Sequence, residues 1–318
     1  MDIYMNAKRI AIIQGFADFH YEMIGYVLEY CLLRKQQNET DFDIFVTHSA
    51  ISAKYEQLFN NIFETEISWK HVSSLDHEQY DVVILLTDDD KSYSKIDSIL
   101  EKVICIDHTN VIRRPGPLLA RVGTRSFPKR DNTNDWALPV FIGLSIDEKT
   151  KFLEANNSKI HVCCIGVSNI PFHPIELYNW FGDSASQVEF HFVARTVHSK
   201  HMYRNCPNVH IYENCDPEVY FEVLRKSTYV LCANCDVDYE EDMMTGALPI
   251  AFTFGCKLIL PPSWQRHFHF KSALTYDVNN KIDLTDKTHH TLDPIFEEMI
   301  ELLDHRNKTF DKYIFGSS

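Results

Sequence analysis

Apolar residues along this chain follow two alternating rhythms. Short apolar runs at 9–14, 42–47, 81–87 and 103–107 predict strands, and apolar residues at consecutive positions are what a strand buried on both faces requires. Between the first two runs, Met23, Ile24, Val27, Leu28 and Cys31 fall at helical spacing, which predicts a crossover helix over 19–33. The rhythm fails from 113 to 140, where Pro115, Gly116, Pro117, Gly123, Pro128 and Pro139 punctuate the chain, so a long functional or linking loop is expected there. The polar stretch 147–158 that follows is the expected domain boundary, placed near residue 155.

The second half restarts the pattern. Strands are predicted at 160–166, 188–194, 209–212, 229–233 and 257–260, with helices at 174–181, 217–226 and 242–254 between them. Asp216-Pro217-Glu218 is a helix start: an N-cap acceptor, a proline at a position that needs no N–H, and a carboxylate at the positive end of the dipole. Asp293-Pro294 opens a last helix with Ile295, Met299, Leu302 and Leu303 on its apolar face. The expected fold class is α/β: two Rossmann-like, doubly wound parallel-sheet domains, 1–155 and 156–318, facing each other across a cleft. Ligands of such sheets bind beyond the carboxyl ends of the strands.

Composition narrows the partners. The chain has 318 residues, 45% hydrophobic and 24% charged, which excludes a disordered or collagen-like protein. Lys plus Arg is 31 and Asp plus Glu is 45, a net charge of −14 that repels nucleic acid, so any anionic ligand must be small and locally neutralised. Nine cysteines without regular spacing read as reduced thiols, and no leader or run of about 18 apolar residues is evident; a cytoplasmic protein without a transmembrane segment is expected. The acceptor patterns beginning at Asn38, Asn156 and Asn307 would then carry no glycan.

The most informative segment is 229–261. A strand leads into an acidic loop, a glycine-containing helix entry, a helix ended by Gly255, and a strand closed by Pro261. Backbone amides near Thr245 and Gly246 can meet phosphate oxygens at a helix start. An ordinary αβ unit with a glycine C-cap explains the same residues.

This arrangement resembles the nucleotide-sugar-binding domain of the GT-B glycosyltransferases. In their retaining members a Glu precedes a glycine-rich turn, a second Glu follows, and a helix ending in Gly leads into the last core strand. Here Asp242 stands at the first acidic position, Ile250 at the second, and Gly255 with Lys257-Leu258-Ile259 at the helix end and strand. Ile250 departs from the pattern, because that second carboxylate usually holds the donor ribose. The resemblance implies donor-binding roles for Asp242, Thr245 and Gly246, for Arg195 and Lys200 on the diphosphate, and for Ile211 and Tyr212 at the nucleobase. In the first domain it implies a general base after the first strand: His20, with Asp18 as orienter or substitute. Asp18 serves equally well as a helix cap. His108, ending another strand, can touch the transferred sugar.

The activity so implied is that of a hexosyl- or pentosyltransferase. It moves a sugar from a UDP- or GDP-linked donor to a hydroxyl of a carbohydrate or glycoconjugate acceptor, without a metal or other cofactor. Three readings compete. Asp88 and Asp90 match the metal-binding Asp-x-Asp of GT-A glycosyltransferases, as do residues 41–43 and 236–238, and that class has one continuous domain. Cys232 with Cys235, and the histidine pairs His198/His201, His267/His269 and His289/His290, have ligand-like spacing but lack a further partner. A non-catalytic nucleotide-binding or scaffold protein would use the same fold. A nicotinamide-dependent oxidoreductase is disfavoured, since neither first βα turn contains G-x-G-x-x-G.

Overall fold

A computed structural model of the chain describes residues 7–14, 21–47, 49–87, 96, 98–108, 118–125, 135–155, 159–165, 174–197, 200–232, 246–277, 279 and 281–316. Two compact units are present. The first comprises Met1–Phe141 and Leu302–Ser318, the second Ile142–Glu240 and Thr245–Glu301. The boundary expected at 155 falls inside unit 2, and the chain returns to unit 1 at its end.

Unit 1 is built on β1 (Lys8–Gln14), β2 (Thr40–Val46), β3 (Lys70–His71), β4 (Val82–Leu85), β5 (Val103–Asp107) and β6 (Ala120–Gly123), arranged 3-2-1-4-5-6 and parallel throughout. This is the doubly wound order. Ile10 to Ile13 of β1 have no exposed surface, as their consecutive apolar side chains required. Helix α1 (Glu22–Gln36) is the crossover between β1 and β2, and its Gly25 lies so close to Phe59 and Phe141 that a Cβ there would stand 2.8 Å from both rings. Helix α2 (Ala50–Ile62) starts with a capping box between Ser49 and Ser52.

Unit 2 opens with α3 (Ile146–Ala155) and continues through β7 (Ile160–Ile165), α4 (Pro174–Phe181), β8 (Val188–Ala194), β9 (Val209–Glu213), α5 (Pro217–Lys226) and β10 (Tyr229–Cys232). Then come α6 (Ala247–Thr253), β11 (Lys257–Leu260), α7 (Pro262–Phe268), β12 (Leu274–Thr275) and α8 (Asp293–Ile314). Its sheet order, β12-β11-β10-β7-β8-β9, is the order of unit 1 over again, and every pairing is parallel. One face buries Val162, Cys164, Phe190, Phe192, Tyr229 and Leu231 in a single apolar cluster with Leu177 and Phe181 of α4. Helix α8 begins in unit 2 and from Leu302 belongs to unit 1, where Phe310 packs against Tyr26 and Tyr30 of α1 at 5.4 and 5.1 Å.

In each unit a buried cation ties separate elements together. In unit 1 the Arg306 guanidinium, 2% exposed, donates through Nη1 to the carbonyls of Tyr26 and Val140 at 3.1 and 3.0 Å and to Glu29 at 2.7 Å. In unit 2 Lys149 of α3 has no exposed surface and donates to the carbonyls of Leu224, Arg225 and Ser227 at 3.1, 3.0 and 2.5 Å. These are carbonyls at the end of α5, where a helix leaves acceptors unsatisfied and its dipole favours a cation.

Several expectations need correction. The polar stretch 147–158 is no linker: most of it is α3, whose charged residues face water while Lys149 turns inward. The irregular segment 113–140 contains β6, an edge strand kept to four residues. Helices α2 and α7 and the two-residue strands β3 and β12 were not foreseen. In α2 the buried Ser52, Tyr55, Leu58 and Phe59 are diluted by polar neighbours, which hid their helical spacing. Asp216 occupies the N-cap of α5 without a capping hydrogen bond from its side chain, and Pro217 at the first turn marks the helix start. The single continuous domain of the GT-A alternative is not what forms, because the strands close into two separate six-stranded sheets.

Candidate functional site

In both sheets the strand order reverses between the first and fourth strands of the unit, β1 and β4 in one, β7 and β10 in the other. A ligand crevice belongs beyond the carboxyl ends of those strands. In unit 1 this edge is polar although the strands behind it are not. Gln14 and Thr87 are 0% and 1% exposed, with Thr87 Oγ1 lying 3.5 Å from Gln14 Oε1 and 3.5 Å from His108 Nε2, the outer limit of hydrogen bonding. His108 Nε2 donates to the Leu86 carbonyl at 2.9 Å, which places a proton on that nitrogen. Beside it, the buried Asp107 carboxylate accepts from Arg121 Nη1 at 2.9 Å, and the Asp107 carbonyl accepts from Thr124 N at 2.9 Å and Oγ1 at 3.2 Å. The edge thus carries a buried amide, a buried hydroxyl and an imidazole on a braced frame.

In unit 2 the donor candidates Arg195, Lys200, Ile211 and Tyr212 gather at the carboxyl ends of the neighbouring strands β8 and β9. Arg195 is exposed directly after β8. Lys200 Nζ donates to Glu213 at 2.6 Å, and the other Glu213 oxygen accepts from Val197 N at 2.9 Å, so this cation already has a carboxylate partner and braces the two strand ends. Ile211 points to the apolar face and packs on its cluster. Tyr212 points to the opposite face, where its hydroxyl lies 3.3 Å from His191 Nδ1, and burial pushes its pKa up. Gly246 stands at the entry of α6 with φ −62° and ψ −16°, and Ile250 is buried within that helix.

Behind Tyr212 lies an array the sequence analysis did not single out. His161, His191 and His210, one from each of β7, β8 and β9, stack with ring centroids 5.1 and 5.0 Å apart, and His161 Nδ1 is 2.9 Å from His191 Nε2. Burial, and then the charge of Lys226, holds His191 down at about 3 and His161 below its usual range. Glu189 bonds both Lys159 and His210; burial pushes its carboxyl up, but those two partners outweigh it and hold it low. The signal was available: His161, Glu189, His191 and His210 alternate with apolar residues, the pattern of a strand with one polar face. In unit 1 the missed residues, Gln14, Thr87 and Asp107, each close an apolar strand with a polar side chain.

His20, Asp18, Asp242, Thr245, Asp88 and Asp90 lie outside the described residues. Among the described residues no three His, Cys, Asp or Glu side chains are placed to hold a metal ion, and no helix is long and apolar enough to cross a membrane.

Duplicated sheets with polar carboxyl edges define a two-domain, doubly wound α/β protein of the GT-B fold class. A glycosyltransferase from Rickettsia africae shares this fold over 98% of this chain and 100% of its own, with a TM-score of 0.59 and 10% identity. The UDP-GlcNAc 2-epimerase of Neisseria meningitidis bound to UDP-GlcNAc matches over 97% of this chain and 100% of its own, at a TM-score of 0.52 and 12% identity. That of Methanocaldococcus jannaschii, in complex with UDP-GlcNAc and UDP, matches over the same shares at 0.50 and 8%. No family model matches the sequence, and neither does any curated protein.

Proposed function

We propose that this protein is a glycosyltransferase that moves a sugar from a nucleotide-diphosphate donor to a hydroxyl of a carbohydrate or glycoconjugate acceptor. The observation that carries the reading is the second doubly wound sheet, with Arg195 and Tyr212 at the carboxyl ends of adjacent strands and Gly246 at the entry of α6. Proteins of the same fold that bind UDP-GlcNAc support a nucleotide-sugar ligand. In this reading Tyr212 and Ile211 seat the base, and Arg195 with the amides near Thr245 and Gly246 meets the diphosphate. The charge developing on the leaving group is then met by hydrogen-bond donors without a metal ion. Lys200 contributes by holding Glu213 and the loop it braces. His20, oriented by Asp18, takes the proton of the acceptor hydroxyl, and His108 contacts the sugar from the polar edge of unit 1.

Thermal unfolding in the presence of UDP, GDP, ADP or CMP tests this directly. A ligand at 100 times its dissociation constant stabilises by about 2.7 kcal/mol, so one base should raise the midpoint clearly above the others. Arg195→Ala should abolish most of that rise. With the matching nucleotide sugar and an acceptor panel, the wild type should release the nucleoside diphosphate; conversion of the donor sugar without transfer would assign an epimerase instead, and no base-selective rise would overturn the reading.

A further inference from the structure

A concavity lies at the other end of the unit 2 sheet, where the strands begin. It is a groove of about 880 Å³ between α3, the starts of β7 and β10, the end of α5 and the segment leading into α8. Its apolar wall includes Ile146, Leu153, Ile160 and Leu292. Lys159, Lys226, Lys287 and His161 also line it. Lys159 is matched to Glu189, but among the described residues Lys226 and Lys287 form no ion pair. The carboxylates that share the groove, Glu154 and Asp293, are exposed, whereas Lys226 and His161 are half-buried. In a chain of net charge −14, a concavity with its unpaired cations set against apolar side chains is a local reversal of the prevailing field.

We propose that this groove binds a small phosphorylated organic molecule, its phosphate held by Lys226, Lys287 and His161 and its organic part against the apolar wall. The inference is independent of the proposed transferase activity and concerns the opposite edge of the sheet. The field of Lys226 already reaches the imidazoles: after burial it is the largest influence holding both His161 and His191 below their usual range. Glu189, His210 and Lys159 also act on His161, and of these only Glu189 favours its protonation. A phosphate beside Lys226 supplies the missing negative charge, so its binding must raise the His161 pKa. A free inorganic phosphate meets the lysines but leaves the apolar wall bare, which separates the two possible sources of the same charge.

Calorimetric titration of the full chain with phenyl phosphate, inorganic phosphate and benzyl alcohol provides the test. Phenyl phosphate should bind at one site at least tenfold more tightly than either of the others, and Lys226→Ala and Lys287→Ala should each weaken it about tenfold. On the wild-type protein, imidazole nitrogen resonances should show the His161 titration moving to higher pH on addition of phenyl phosphate. Equal affinity for phenyl and inorganic phosphate, unchanged affinity in both lysine variants, or an unmoved His161 titration overturns the proposal. So does competition by UDP, which would place the probe at the carboxyl edge.

Discussion

The two sheets share one strand order and differ in where they keep their polar groups. In unit 1 the central strands β1, β4 and β5 are apolar on both faces between their ends, with Gln14, Thr87, His108 and Asp107 at the carboxyl edge, and the charges within strands fall on the flanking β2 (Asp41, Asp43) and β6 (Arg121). In unit 2 polar side chains run along one face of β7, β8 and β9 from His161 at one edge to Tyr212 at the other. A parallel sheet needs apolar runs only where a layer covers both faces. The second sheet therefore shows that the same topology tolerates a polar face when burial keeps His161 and His191 from taking a proton easily and its carboxylate, Glu189, is paired.

The largest expected effect comes from Arg306 and Lys149. Arg306→Leu leaves the Glu29 carboxylate without its buried partner and should cost about 3–5 kcal/mol, whereas Lys149→Met orphans only neutral carbonyls and should cost about 1–3 kcal/mol. Urea unfolding followed by fluorescence checks the order; a larger loss in the Lys149 variant would break the comparison.

Acid should separate the units next. Folding holds His191 at about 3, against 6.5 for a free imidazole, so the unfolded chain binds the extra proton in that window. The stability from this neutral ring is complete above pH 6.5 and is lost as the pH falls towards 3, about 2–3 kcal/mol by pH 4. Trp69 and Trp136 report on unit 1 and Trp180 and Trp264 on unit 2, so single-tryptophan variants should reveal unit 2 loosening first. His191→Gln should flatten that slope, and an unchanged slope would remove His191 as its origin.

The smallest contrast is between two ion pairs at corresponding edges. Arg121 and Asp107 are 11% and 3% exposed in their side chains, while Lys200 and Glu213 are 59% and 28% exposed. Arg121→Ala should cost about 2–3 kcal/mol and Lys200→Ala less than about 1 kcal/mol, both read from denaturation midpoints. Similar losses would mean that the edges are equally solvated.

Much of this architecture was legible in the sequence. Apolar runs placed β1, β5 and β11 closely, the alternating pattern of 188–194 placed β8, and Pro217 fixed the start of α5, because parallel strands and helix starts are written locally. What escaped depended on distant partners. The polar stretch around Lys149 reads as a linker until the carbonyls of Leu224, Arg225 and Ser227 are brought to it. Similarly, Arg195 and Lys200 read as equivalent cations until Glu213 claims one of them. The histidine array was hidden for the same reason, since neighbours on three strands are far apart along the chain.

The return of α8 to unit 1 has a consequence for biosynthesis. Tyr26, Glu29 and Val140 are translated early, yet the guanidinium that satisfies them resides at position 306. The amino-terminal unit therefore waits, incomplete, through synthesis of the whole intervening unit, and a nascent chain halted before Leu302 should expose the α1 surface that Phe310 covers to chaperones and proteases.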